Sequence, residues 1–169
     1  MCQFDDQIDS TRIFPSLRTA LRALPLLGEF HFYNGPRSKT MPDCVGRKCV
    51  LVVDDETVIA DSLAIILNEN GYSAHATYSG ETAVEAAASL NPDILVTDVV
   101  MGAMSGIELA IYFTKTFPKC RILLISGKAV TTHLLEWAAR SGYHFELLPK
   151  PSHPQELLQY LGSATSEVS

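Results

Sequence analysis

Residues 49–56 read CVLVVDDE, five apolar residues followed by three acidic ones. A continuous apolar run rich in β-branched residues is typical of a strand that is covered on both faces, as the strands of parallel sheets are. The same pattern recurs in DILVT at 93–97, followed by Asp98, and in RILLI at 121–125, followed by Ser126. We therefore predict buried parallel strands that end in polar side chains.

Helical patterns separate these buried runs. The spacing predicts helices over Thr57–Asn70, from a Ser79 cap to Ser89, over Gly106–Thr116, over Thr131–Ser141 and after Ser152. Two further strands are predicted at 73–77 and 144–148, so five strands alternate with five helices. Such alternation implies right-handed βαβ crossovers. We therefore predict an α/β protein with a doubly wound, five-stranded parallel sheet.

Two of these helices carry a stripe of residues at helical spacing that we expect to face the sheet. In the helix after the first strand, the stripe comprises Val58, Ile59, Ser62, Leu63, Ile66 and Leu67. In the helix over 106–116, it comprises Ile107, Ala110, Ile111 and Thr114.

The composition is that of an ordinary globular protein, since 47% of the 169 residues are apolar and 19% are charged. The length suits one domain with an appendage. Residues 1–45 show no sustained helical or strand period, and turn-forming pairs such as Gly35-Pro36 occur there. We predict a weakly ordered N-terminal extension over 1–45, a folded domain over 46–163 and a C-terminal tail over 164–169.

The net charge of −6 is unevenly distributed along the chain. Residues 1–43 hold five acids and five bases, whereas residues 44–169 hold 14 acids and 8 bases. An acidic domain repels phosphate backbones, so we expect no direct contact with nucleic acid.

The sequence also predicts a cytoplasmic protein without membrane insertion. No window approaches the roughly 18 consecutive apolar residues that a membrane-spanning helix needs. The start, MCQFDDQIDS, is acidic where a secretory signal carries positive charge. The four cysteines show no zinc-like spacing, and we expect free thiols in a reducing compartment.

The apolar runs end in side chains that can carry chemistry. Asp54 and Asp55 follow the first strand, Asp98 the third, Ser126 the fourth and Lys150 the fifth. In a doubly wound sheet, the carboxyl ends of the strands meet at one edge. One aspartate after a strand is usually a turn former or a helix cap, but three carboxylates in one place repel one another. A divalent cation relieves that repulsion, and oxygen ligands without His or Cys favour Mg²⁺.

Four motifs resemble those of the receiver domain of two-component response regulators. They are LVVDDE at 51–56, DILVTDVVM at 93–101, LLISG at 123–127 and PKP at 149–151, and the likeness covers roughly residues 47–162. The resemblance implies the flavodoxin-like (βα)5 fold, in which the strand order of the sheet is 2-1-3-4-5.

The resemblance also implies a role for each polar residue at the strand ends. Asp98 is expected to accept a phosphoryl group that Ser126 and Lys150 contact. The residues expected to hold Mg²⁺ are Asp54, Asp55, Asp98 and Val100, the last through its backbone carbonyl. A carboxylate is a poor phosphoryl acceptor unless the charge on the transferred oxygens is neutralised, which Mg²⁺ and Lys150 can do.

The sequence departs from the family pattern in two places. The loop after Asp98 carries Gly102 and Ser105 where family members commonly have Pro and Asp, and the glycine is expected to loosen the loop. Leu147 stands where the family has its switch aromatic. Phe145 and Tyr143 are the candidates to replace that aromatic, and a core role on the last strand is the alternative for them.

The leading hypothesis for function is a stand-alone receiver. A histidine kinase or a histidine phosphotransfer protein would phosphorylate it, and it would act through an unidentified downstream protein. Such a protein is a switch that gains and loses a phosphoryl group rather than a turnover enzyme.

Two alternatives belong to other classes. The first is an Mg²⁺-dependent phosphatase with an aspartyl-phosphate intermediate, which the fold alone does not exclude. Such enzymes place a D-x-D motif after the first strand, whereas Asp54 and Asp55 are adjacent here. The second is a receiver-like scaffold that is never phosphorylated, against which the complete set of acids, serine and lysine argues.

Overall fold

The computed structural model describes residues 46–127, 131–150 and 153–163, and within them five strands alternate with five helices. The strands are β1 (Cys49–Val53), β2 (Ser73–Thr77), β3 (Ile94–Asp98), β4 (Arg121–Gly127) and β5 (Glu146–Lys150). The helices are α1 (Thr57–Glu69), α2 (Gly80–Leu90), α3 (Gly106–Thr116), α4 (Thr131–Arg140) and α5 (Pro154–Ser163). The predicted extension (1–45) and tail (164–169) lie outside the described residues.

The strands form one parallel sheet in the order β2-β1-β3-β4-β5. The doubly wound flavodoxin-like fold and its predicted strand order are both confirmed. In this order β1 and β3 are neighbours, and Val53 pairs with Thr97. The residues that follow this pair, Asp54 and Asp98, are thereby brought side by side at the carboxyl edge of the sheet.

Helices cover both faces of the sheet. On one face, α1 and α5 pack over a core of strand residues that includes Val50, Val96 and Leu123. Strand residues that alternate with these, such as Leu51 and Leu124, are fully buried and point to the other face. There α2 packs against β1 and β2, α3 packs against β3 and β4, and α4 packs against α3. Because both faces are covered, the central strands need unbroken apolar sequences.

The face that α1 turns inward matches the predicted stripe only in part, since Leu67 is buried and Ile59, Leu63 and Ile66 are partly buried. Ala60, Ala64 and Leu67 are buried, whereas Val58 is 76% exposed and Ser62 is exposed. The helix carries apolar side chains on several sides, so spacing alone does not select the buried one. The two small alanines face the core, where a close approach between helix and sheet leaves little room for larger side chains.

The stripe of α3 was predicted correctly except at one end. Ile107, Ala110 and Ile111 are buried, but Thr114 is exposed. The Thr114 hydroxyl donates a hydrogen bond to the Ala110 carbonyl at 2.9 Å. This bond within the helix satisfies the hydroxyl without a partner from the core.

The last strand, β5, begins two residues later than predicted, at Glu146 instead of His144. Its pairing with β4 runs from Leu123 opposite Glu146 to Gly127 opposite Lys150. As a result, Lys150 is the last residue of the strand and does not follow it. Pro149 has no N–H to donate, and the sheet tolerates it because β5 is an edge strand.

Two further expectations concern the thiols and the membrane. Cys49 and Cys120 are free thiols, as predicted, and Cys2 and Cys44 lie outside the described residues. None of the described helices combines the length and the apolar character that crossing a bilayer requires.

Candidate functional site

Three aspartates meet at the carboxyl edge of the sheet. Asp54 and Asp55 follow β1, and Asp98 is the last residue of the neighbouring strand β3. One carboxylate oxygen from each of the three lies within 4.8 Å of the other two. Asp54 is buried, Asp98 is partly buried and Asp55 is exposed. The cluster is therefore open to solvent on the side of Asp55.

Lys150 reaches this cluster from the end of β5. Its Nζ lies 2.9 Å from Asp54 Oδ2 and 3.3 Å from Asp98 Oδ2. The side chain of Lys150 is 26% exposed, compared with 4% for Asp54 and 13% for Asp98. One ammonium group thus bridges two largely buried carboxylates.

Both carboxylate oxygens of Asp54 have hydrogen-bond partners. Oδ1 accepts a bond from the Glu56 N–H at 2.9 Å, and Oδ2 accepts one from Lys150 at 2.9 Å. The bond to Glu56 holds the turn that leads from β1 into α1. The backbone of the turn thus holds the Asp54 carboxylate, and this carboxylate positions the Lys150 ammonium group.

Burial and the neighbouring charges shift the pKa values of two groups. Burial raises the pKa of Asp98, the Lys150 ammonium opposes this rise, and the charge of Asp54 adds to it. Burial alone would lower the pKa of Lys150, but its hydrogen bond to Asp54 and the charges of Asp98 and Asp54 outweigh burial and raise that pKa. Both shifts favour the protonated form, so Asp98 binds a proton more readily and Lys150 keeps its positive charge.

The two remaining predicted residues, Ser126 and Val100, also lie at this edge. Ser126 is buried near the end of β4, and its hydroxyl donates a hydrogen bond to the Gly127 carbonyl at 3.1 Å. Val100 follows Asp98 by two residues, and its side chain is half exposed between the buried Val99 and Met101. The structure therefore brings all six predicted site residues to one edge of the sheet.

A close backbone approach at Gly106, not predicted from the sequence, fixes the β3–α3 loop (residues 99–105). The Val99 N–H donates to the Ile125 carbonyl, and the Val99 carbonyl accepts from the Gly106 N–H, both at 3.0 Å. A Cβ atom on Gly106 would lie 1.8 Å from the Asp98 carbonyl oxygen. Only glycine fits at this position. The available sequence signal was a glycine at the start of the helix that follows Asp98.

A reciprocal cap closes the same loop. The Glu108 N–H donates to Ser105 Oγ at 3.3 Å, and the Ser105 N–H donates to Glu108 Oε2 at 2.8 Å. The pattern Ser-x-x-Glu at 105–108 is the sequence signature of such a capping box. Ser105 departs from the family pattern, but serine and aspartate are both good N-cap residues, so the capping role is kept.

The candidate switch aromatics lie away from Lys150. The rings of Tyr143 and Phe145 stack with centroids 6.2 Å apart and planes 8° from parallel. Both residues precede β5, so they lie at its amino end, whereas Lys150 is at its carboxyl end. Leu147 lies within the strand and is partly buried. A switch role for Tyr143 or Phe145 stays a prediction.

Comparison with known proteins identifies the family. The family model described as the response regulator receiver domain matches residues 50–162. Similar curated proteins include the response regulators MprA of Mycobacterium avium and Mycobacterium tuberculosis, each 33% identical over 109 residues. The match covers 64% of this chain and 47% or 46% of theirs, so the chain spans about half the length of these relatives. This chain belongs to the response regulator receiver domain family.

Solved structures agree with the assignment. A signal receiver domain of an HD domain-containing protein from Pseudomonas fluorescens is 27% identical, with a TM-score of 0.64, covering 70% of this chain and 94% of that one. The chemotaxis protein CheY4 of Vibrio cholerae is 25% identical, with a TM-score of 0.60, covering 69% and 98%. A CheY-like receiver from Methanospirillum hungatei is 24% identical, with a TM-score of 0.65 over 72% and 95%, and shows the shared fold.

Membership of this family places the chain in two-component signalling. Receiver domains typically bind Mg²⁺ at an acidic pocket, and the donors at this edge fit such an ion. The cluster consists of carboxylate oxygens, the ligands that a small hard cation prefers.

Proposed function

We propose that this chain is a receiver that accepts a phosphoryl group on Asp98 from a histidine kinase or a histidine phosphotransfer protein. One observation carries the proposal. The partly buried carboxylate of Asp98 ends a central strand, with the Lys150 ammonium 3.3 Å away and two further carboxylates beside it. An acceptor next to both a fixed cation and a candidate metal site suits phosphoryl transfer.

The transfer itself needs little from the protein beyond position and charge. An oxygen of Asp98 attacks the phosphorus of a phosphohistidine, the new P–O bond forms and the P–N bond breaks. The imidazole nitrogen leaves with the electron pair of that bond and takes a proton from solvent. The product is an acyl phosphate, a mixed anhydride that water can hydrolyse, and it therefore suits a timed signal.

The residues around Asp98 divide the work of charge neutralisation. Asp55 and Asp98 would hold Mg²⁺ directly, together with the backbone carbonyl of Val100, and Asp54 would contribute from the side that Lys150 does not occupy. When bound, Mg²⁺ supplies positive charge toward the transferred oxygens. Lys150 would supply a second positive charge beside Asp98, and Asp54 holds its ammonium group at 2.9 Å.

Ser126 would report the product. Its hydroxyl donates to the neutral Gly127 carbonyl in this structure. A phosphoryl oxygen on Asp98 offers a charged acceptor, which binds a hydroxyl donor about twice as strongly. The hydroxyl would change partners, and the backbone at the end of β4 would follow, which changes the surface that a downstream protein contacts.

In this proposal the chain is a switch and not a turnover enzyme, and it works in the cytoplasm beside the phosphohistidine of its donor.

Phosphorylation by a small donor tests the acceptor. The parent protein, incubated with Mg²⁺ and acetyl phosphate, should gain the mass of one phosphoryl group, and Asp98→Asn should gain none. The matched control is Asp61→Asn, which should be phosphorylated like the parent. Asp61 is an exposed aspartate of α1 that accepts a hydrogen bond from the Tyr78 hydroxyl. A mass gain in Asp98→Asn would reject Asp98 as acceptor. An unmodified parent would favour the scaffold alternative.

A further inference from the structure

The β3–α3 loop rests against the first residue of α2. Met104 in this loop is 1% exposed, and Gly80 is buried beneath it. A Cβ atom on Gly80 would lie 2.7 Å from Met104 Sδ and 2.8 Å from Met104 Cβ. The backbone of Gly80 therefore forms a notch that only a residue without a side chain can provide.

This contact constrains the backbone of the loop and not only a side chain. Sδ lies at a flexible position, but the Cβ of Met104 is attached directly to the loop backbone. Any group added at Gly80 would have to move either the loop or the start of α2. The start of α2 is held by Ser79, whose Oγ accepts from the Thr82 N–H at 3.2 Å and whose carbonyl accepts from the Ala83 N–H at 3.0 Å. The loop is likewise held at Ser105 by its capping box, so the displacement falls on the loop residues before Met104, where Gly102 lies in open space.

The middle of the loop can move while its ends stay fixed. Its first residue is pinned to β4 and to Gly106 through the backbone bonds of Val99. Gly102 is exposed, with nothing within 4 Å of its Cβ position, so the loop has no packing at this residue, although the neighbouring Met101 is buried. Val100 lies between Val99 and Gly102. The seating of Met104 thus sets where the loop backbone runs past Asp98.

We propose that Gly80 and Met104 are positioning residues for the cation site, and that their contact tunes the site to a small cation. The inference rests on the proposed function, in which the Val100 carbonyl of this loop joins the aspartates around Mg²⁺. Mg²⁺ demands near-ideal octahedral geometry with short bonds, whereas Ca²⁺ accepts longer bonds and irregular geometry. A loop displaced by a few tenths of an ångström therefore weakens Mg²⁺ binding more than Ca²⁺ binding.

Separate titrations with MgCl₂ and CaCl₂, followed through the amide NMR shifts of residues 98–104, test the proposal. Gly80→Ala should weaken Mg²⁺ binding by about two- to thirtyfold, the range found for mutations that act on a site through packing. Ca²⁺ binding should weaken less. Met104→Ala removes the same contact from the other side and should show the same selective loss. If Gly80→Ala does not fold, Met104→Ala tests the proposal by itself.

Three control variants separate positioning from a loss of stability. Gly162→Ala makes the same substitution in α5, where nothing lies within 4 Å of the added atom. Leu67→Ala removes buried volume from the opposite face of the sheet. Met104→Leu keeps an apolar side chain of similar volume in the notch. All three should keep the parent ratio of Mg²⁺ to Ca²⁺ affinity.

The possible results separate this inference from the proposed function. Equal losses for both cations in Gly80→Ala and Met104→Ala, or the same selective loss in Leu67→Ala, would overturn the positioning role. Unchanged Mg²⁺ affinity in both notch variants would overturn it while leaving the proposed cation site intact. A parent protein that shows no saturable Mg²⁺ binding would overturn the cation site itself and this inference with it.

Discussion

Replacing Lys150 by methionine removes the ammonium group that bridges Asp54 and Asp98 and keeps a chain of similar shape. Asp54 would then be a buried carboxylate, 4% exposed, whose Oδ2 has lost its partner. Asp98, next to it, would lose the positive charge that opposes the rise of its pKa. We expect Lys150→Met to lower the free energy of unfolding measured without Mg²⁺.

The exposure of the pair sets the size of the effect. Ion pairs on the surface contribute about 0.2–1 kcal/mol, and removing one partner of a fully buried pair costs about 3–5 kcal/mol. Asp54 is as buried as a residue of a fully buried ion pair, but Lys150 is 26% exposed, and water can reach the cluster beside Asp55. An intermediate cost of about 1–3 kcal/mol follows for Lys150→Met.

Urea unfolding with EDTA and with Mg²⁺ measures this cost and its dependence on the cation. A cation that binds only the folded state stabilises it by about 1.4 kcal/mol at ten times its Kd. Without the ammonium group, the three carboxylates should bind Mg²⁺ more tightly, so Mg²⁺ should stabilise the variant more than the parent. The deficit seen in EDTA should therefore shrink in Mg²⁺. Lys119→Met, an exposed lysine before β4, should stay within about 0.5 kcal/mol of the parent in both buffers.

A double-mutant cycle shows whether Asp54 is the partner that matters. Asp54→Asn keeps an oxygen that can accept from the Glu56 N–H but removes the charge that Lys150 balances. Lys150→Met should therefore cost much less in the Asp54→Asn background than in the parent. Additive effects of the two substitutions would refute the pairing, and so would a Lys150→Met variant as stable as the parent in EDTA.

Two further predictions concern Gly106 and His75. In urea unfolding, Gly106→Ala should lower the free energy of unfolding by about 3 kcal/mol or more, because its Cβ would lie 1.8 Å from the Asp98 carbonyl oxygen. Gly102→Ala, in open space, should raise that free energy by about 0.4–1 kcal/mol. Similar effects at both positions would contradict the close approach. Burial lowers the pKa of His75 from 6.5, and its buried Nε2 has no hydrogen-bond partner among the described residues. As the pH falls through 6.5, the unfolded chain takes up this proton before the folded chain does, so the parent should lose more stability than His75→Gln between about pH 7.5 and pH 5.5. Equal losses in the two proteins would show that His75 titrates normally.

The central strands were predictable because their local sequence is sufficient. The runs at 49–53, 93–97 and 121–125 are apolar throughout, and only a strand covered on both faces needs such a sequence. The structure places these strands within two residues of the predicted bounds. The Ser79 cap was predictable for a similar reason, since its partner, the Thr82 N–H, lies three residues away.

Two features of the fold depended on neighbours that local sequence does not reveal. In α1, apolar side chains occur on several sides, and the sheet and α5 select Ala60 and Ala64 as the buried face. In β5, the start at Glu146 follows from its register with β4 and not from the aromatic Phe145 just before it. In both cases the sequence is compatible with more than one arrangement.

For the candidate site, the sequence by itself determined which groups stand at the carboxyl edge of the sheet: Asp54, Asp55, Asp98, Ser126 and Lys150. Each follows or ends an apolar run, and the order of the runs determines the edge. Only the tertiary structure decided that Lys150 pairs most closely with Asp54, 96 positions away. The contact between Met104 and Gly80 was likewise decided only by the tertiary structure. The physical reason is that a residue's place in a strand depends on its near neighbours, whereas contacts between distant residues depend on strand register and packing distances set by the whole domain.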